Sequence, residues 1–101
     1  MFIVISYDIP DDRRRDRVMK ALKDFGAHVQ YSLFECELRP EAYTRLRERL
    51  AKLVDKKEDN IRFYSLCQED VKKRRVWGTE RVEVGVRPVY LVESKGVGGK
   101  K

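Results

Sequence analysis

Residues 2–9 constrain this chain more than any other stretch. Phe2, Ile3, Val4, Ile5, Ser6, Tyr7 and Ile9 form an almost wholly apolar run, interrupted by one acid, Asp8. A run of that length and composition predicts a strand buried on both faces. A carboxylate at the end of such a strand costs free energy unless a metal ion or a basic group pairs with it. Pro10, Asp11 and Asp12 then offer a helix start, and Arg13, Arg14, Arg15 and Arg17 crowd the first turns of that helix. Cations there oppose the helix dipole, so the cluster asks for a counter-anion. One acid beside many bases points to phosphate binding or phosphate chemistry.

The rest of the chain alternates between strand-like and helix-like patterns. Val18, Leu22 and Phe25 give the first helix an apolar stripe, from Asp11 or Asp12 to about Phe25, and Gly26 is expected to end it in a left-handed conformation. Val29 to Leu38 predicts a second strand, with Val29, Tyr31 and Leu33 alternating with Gln30, Ser32 and Phe34. Pro40 suits a first helical turn, and Tyr43, Leu46, Leu50 and Leu53 make a second amphipathic helix. Asp59 and Asn60 predict a turn into a third strand, Ile61 to Leu66. Basic Val71 to Trp77 predicts a fourth, which Gly78 breaks. Val82, Val84 and Val86 continue the alternation, and Val89 to Val92 predicts a last strand after Pro88. Residues 93–101, rich in glycine and lysine, read as a flexible basic tail.

This order, β-α-β-α-β-β with a tail strand, admits either a ferredoxin-like sheet or a small doubly wound one. Both need a crossover, expected to be right-handed. Phe34, Tyr64 and Trp77 leave one sheet face rich in aromatics, which favours the first arrangement with a second copy as cover. A chain of 101 residues makes one domain with a modest core. Its formal charge of +6 makes nucleic acid the foremost partner, although 40% charged residues also suit a small heat-tolerant soluble protein. Cys36 and Cys67 lack metal-binding spacing and read as buried reduced thiols. With no signal peptide and no run long enough to cross a membrane, the expected location is the cytoplasm. His28 is the sole histidine, so mechanisms that use paired histidines are excluded.

Tyr7-Asp8-Ile9, the arginine-rich first helix, the run from Gly26 to Cys36 and the run from Asn60 to Tyr64 resemble the second CRISPR-associated adaptation protein, a family described as CRISPR-associated endoribonucleases. The specific part is the Val-Gln-x-Ser-x-Phe-Glu stretch after the helix-ending glycine. The likeness covers residues 1 to about 92 and departs at 78–87, which are longer and more regular than the family pattern. The resemblance implies an α+β, ferredoxin-like (βαββαβ-type) domain over residues 1–92, with an antiparallel sheet and two helices on one face. The strand at Val89 to Val92 would be exchanged with a homodimer partner. It also implies that Asp8 meets its twin across a two-fold axis. The activity implied is metal-dependent endonuclease cleavage of single-stranded RNA or double-stranded DNA. A second implied role is that of a central homodimer that binds duplex nucleic acid and bridges CRISPR integrase dimers during capture of new spacers.

Alone, Asp8 is a poor acid–base site, but a two-fold axis duplicates every group. Two close carboxylates repel unless a cation lies between them, and Mg²⁺ or Mn²⁺ with water in most coordination positions is the expected ion. Asp8 is therefore the candidate catalytic residue and metal ligand; its plainer role is to cap the helix or pair with an arginine. Arg13, Arg14, Arg15 and Arg17, with Lys72, Lys73, Arg74 and Arg75, are the candidate nucleic-acid contacts. For any single arginine, pairing with Asp11, Asp12 or Asp16 is the plainer fate. Tyr7, Ser32 and Phe34 are candidate supports: a hydroxyl in the cleft, a bond to water or phosphate, and interface packing. No residue set reads base edges, so little sequence specificity is expected. The rival class is a non-catalytic ferredoxin-like nucleic-acid-binding or regulatory module, against which the absent RNP pattern counts.

Overall fold

Asp11 starts the first helix by accepting a hydrogen bond from the Arg14 backbone N–H at 2.9 Å. The computed structural model describes residues 1–78. Its elements are β1 (Phe2–Asp8), α1 (Asp12–Lys23), β2 (Ala27–Gln30), β3 (Leu33–Glu37), α2 (Pro40–Ala51), β4 (Asn60–Leu66) and α3 (Gln68–Lys72). The strands form one sheet in the order β2-β3-β1-β4, with every neighbouring pair antiparallel. This is the α+β, ferredoxin-like arrangement, in which α1 links strands that flank β3 and α2 links strands that flank β1. The strands expected over 82–92 and the tail at 93–101 lie outside the described residues.

Alternation along β1 sends Ile3, Ile5 and Tyr7 to one face and Phe2, Val4, Ser6 and Asp8 to the other. The first set joins Val18 and Leu22 of α1, Phe34 and Cys36 of β3, and Leu46 and Leu50 of α2 in the main core. Both long helices cover that face alone. The expectation of a strand buried on both sides is therefore corrected: Val4 and Ser6 are half-buried and Asp8 is exposed. At the far end of the second face, Phe2 and Val71 bury each other with Val4, Val29 and Leu66 packed around them.

Other expectations also change. Residues 29–38 are not one strand but a hairpin, β2 and β3, turning at Tyr31-Ser32 with a register slip between His28 and Gln30. The turn contains neither Gly nor Pro, so the usual local signal was missing; tertiary bonds to the Tyr7 backbone and side chain hold it instead. This extra strand converts the expected order into βαββαβ. Val71 to Trp77 forms no strand, because residues 68–72 coil into α3 and set Val71 against Phe2. Gly26 has no positive φ. It is needed because a Cβ there would lie 2.6 Å from the Glu35 carbonyl oxygen and closer still to Cys36 Sγ. Cys36 is buried as expected, with its thiol pushed up to about 12 by burial and then by Glu35. Cys67, by contrast, is exposed.

Candidate metal and nucleic-acid site

Asp8 ends β1 opposite Asn60 of β4, on the sheet face that α1 and α2 leave uncovered. Its carboxylate is exposed, and among the described residues it has no side-chain hydrogen bond or ion pair. Among those residues, no cluster of three His, Cys, Asp or Glu side chains could hold a metal. A free exposed carboxylate nonetheless suits magnesium, which is held by one or two carboxylates and keeps several waters. This chain offers one such carboxylate at the end of β1.

The arginines of α1 divide by partner. Arg14 forks onto Asp59, Nε to Oδ2 at 2.8 Å and Nη2 to Oδ1 at 3.0 Å, and reaches Glu58 at 3.1 Å. The Asp59 side chain is 1% exposed and also accepts the Asp55 backbone N–H at 2.8 Å. The Arg14 guanidinium holds the Asp59 carboxyl below the usual carboxylate range. Arg15 donates to the Ile9 carbonyl at 2.9 Å and pairs with Asp12. Arg13 and Arg17 are exposed and unpartnered among the described residues. Arg14 is thus a clip between α1 and the loop before β4 rather than an open phosphate contact, and Arg15 ties down the turn that follows Asp8.

The second basic run behaves similarly. Arg74 pairs with Glu35 at 3.2 Å, both side chains about 15% exposed, and its guanidinium lies 4.5 Å over the Phe2 ring. It is corrected from nucleic-acid contact to packing residue. Lys72, Lys73 and Arg75 are exposed. They follow Leu66, which pairs with Phe2, whereas Asp8 pairs with Asn60. The two basic groups therefore follow opposite ends of the seven-residue β1–β4 ladder, whose ends are about 20 Å apart.

Two expected supports turn away from Asp8. Tyr7 is 4% exposed and its hydroxyl donates to the Tyr31 carbonyl at 3.3 Å; burial pushes its pKa up, partly offset by Arg15. Phe34 is fully buried, 6.2 Å from the Tyr7 ring and stacked on His28 at 4.6 Å. Both side chains belong to the core under the helices, because their strand positions put them on that face. Ser32 sits in the hairpin turn, where its carbonyl accepts the Tyr7 N–H at 3.1 Å.

Residues 1–74 match the family model described as CRISPR associated protein Cas2. The chain belongs to the Cas2 family. It is 44% identical over 79 residues to a protein named CRISPR-associated endoribonuclease Cas2 3 from Synechocystis, covering 77% of this chain and 86% of that protein. It is also 44% identical over 88 residues to a Thermus thermophilus protein named CRISPR-associated endoribonuclease Cas2, covering 82% and 92%. The crystal structure of Streptococcus pyogenes Cas2 superposes with a TM-score of 0.69 at 31% identity, covering 77% of this chain and all of that one. Among the described residues, no helix is long and apolar enough to cross a membrane.

Within this Cas2-family fold, sequence reasoning missed the surroundings of Asp8. Arg62, exposed and donating to Asn60 Oδ1 at 3.2 Å, shares the Asp8 face by the alternation of β4, a signal that was available. Asp59 carried no signal, since a charged turn residue looks solvated. Tyr31, 92% exposed at the hairpin tip, was hidden by reading β2 and β3 as one strand.

Proposed function

We propose that this chain acts in CRISPR adaptation as a Cas2 homodimer that binds nucleic acid and bridges integrase dimers. Metal-dependent endonuclease cleavage of single-stranded RNA or duplex DNA occurs at paired Asp8 residues. The observation that carries this reading is the Asp8 carboxylate itself, exposed and unpartnered at the end of a sheet face on which Val4 and Leu33 are half-buried and Tyr64 is 48% exposed. A second copy laid on that face removes apolar surface from water and brings a second carboxylate to the first. The names of its relatives support the nuclease assignment, and the segment from Val89 to Val92 is the one proposed to cross to the partner.

In this site Asp8 would hold Mg²⁺ or Mn²⁺, which when bound would lower the pKa of a water and polarise a phosphodiester oxygen. Arg13 and Arg17 neutralise backbone phosphates, while Arg15 fixes the Ile9 carbonyl and so the turn that leaves Asp8.

The test compares wild type with Asp8→Asn on labelled RNA and duplex DNA, with magnesium and with chelator, alongside sedimentation equilibrium. Cleavage should fall by about 100-fold or more and vanish on chelation, with nucleic-acid binding retained. Full cleavage by Asp8→Asn removes the catalytic assignment. A wild-type monomer at micromolar concentration without salt-sensitive binding returns the chain to the non-catalytic module class.

A further inference from the structure

Among the described residues no large apolar side chain is as exposed as Tyr31, at 92%. A ring on a loose loop would mean little, but this one stands on an anchored support. Its carbonyl accepts the hydroxyl of buried Tyr7 at 3.3 Å and lies 2.6 Å from His28 Nε2. His28 is itself stacked on buried Phe34 with the rings 4° from parallel, and the neighbouring Ser32 carbonyl accepts the Tyr7 N–H. The backbone under the ring is therefore pinned to the core from two sides, so a ligand that meets the ring need not order the turn that carries it.

The position is as informative as the exposure. Tyr7 directly precedes Asp8, so the hairpin tip lies at the Asp8 end of β1. Arg15 is near enough to the Tyr7 hydroxyl to oppose the effect of burial on it, and it bonds the Ile9 carbonyl at 2.9 Å. An exposed aromatic, a guanidinium and a free carboxylate thus share one end of the sheet.

We infer that Tyr31 stacks on an unpaired base of the strand whose backbone Asp8 addresses, so that this end of the sheet selects single-stranded over duplex nucleic acid. Bases in a duplex keep their faces inside the stack, whereas splayed bases offer them to aromatic side chains. Stacking is tolerant of base identity, in keeping with a site that has no base-edge reader. The inference rests on the proposed role of Asp8 for where the strand is cut, but not for how it is held.

The experiment is fluorescence anisotropy with the full chain and three labelled ligands: oligouridine, an abasic oligomer of the same backbone, and duplex. Tyr31→Ala should weaken oligouridine binding about tenfold, while Tyr31→Phe and Tyr31→Trp stay close to wild type. Binding of the abasic and duplex ligands should not respond to any of the three. The inference is overturned if Tyr31→Ala binds oligouridine normally, or weakens all three ligands equally. It is also overturned if wild type prefers the duplex, or if Tyr31→Ala lowers the dimer fraction in sedimentation, which would assign the ring to a second copy. Asp8→Asn separates the two readings. It should bind oligouridine normally and leave it uncut; persistent cutting sinks the role of Asp8 while the binding result still decides Tyr31.

Discussion

Arg13 and Arg14 are sequence neighbours with opposite fates, and the helix decides between them. One step of about 100° turns Arg14 toward Asp59 and Glu58 and leaves Arg13 in solvent. Replacing Arg13 or Arg17 by Ala should lower the slope of log Kd against log salt by about one unit each, measured by nucleic-acid gel shift. Arg14→Ala should leave the slope unchanged and lower the Tm. The clip also sets a pH dependence. The Asp59 carboxyl is held below its ordinary value by Arg14, so its contribution to stability is full above about pH 3.9 and is lost as pH falls through the folded value. Thermal melts should therefore show wild type above Asp59→Asn at neutral pH, with the gap closing toward pH 2. From the sequence, Asp8 could be singled out as a candidate because an acid in an apolar run violates a local rule. Its exposure could not be read, because one strand does not reveal which of its faces the helices will cover.

At the scale of elements, what was legible followed hydrophobic period and caps. β1, both long helices and β4 fell near their expected bounds, since Val18 and Leu22, or Leu46 and Leu50, repeat at helical spacing over a full stripe. The hairpin and α3 were not legible, and for different reasons. Tyr31-Ser32 turns without Gly or Pro because Tyr7, from β1, and the nearby His28 hold its carbonyls. Residues 68–72 coil because Val71 has Phe2 to cover, a partner nearly seventy positions away that no local window contains. Gly26 marks where α1, β2 and β3 close on one another. Gly26→Ala should cost about 1–3 kcal/mol in denaturant unfolding, since the new methyl group meets the Glu35 carbonyl and the Cys36 side chain. A loss below about 0.5 kcal/mol would mean that β3 yields easily there.

Across the whole molecule, charge and shape are arranged along the length of β1. The acid, the open arginines of α1 and the hairpin tip occupy one end; Lys72, Lys73, Arg75 and the Arg74–Glu35 pair occupy the other. Pairing removes Arg14 and Arg74 from the two basic runs, and the strand keeps their open members apart. Family resemblance reached the fold more surely than the residues did, because topology depends on the core, whereas the role of a surface arginine depends on one neighbour. The length of β1 also turns the protein into its own ruler. Manganese seated at Asp8 would broaden nearby amide resonances with a steep fall-off over distance, so a titration into isotope-labelled protein should erase signals around 31–33 and 59–62 while those of 66–74 survive. Uniform broadening along the strand would place the paramagnetic centre elsewhere, without any cleavage having been measured.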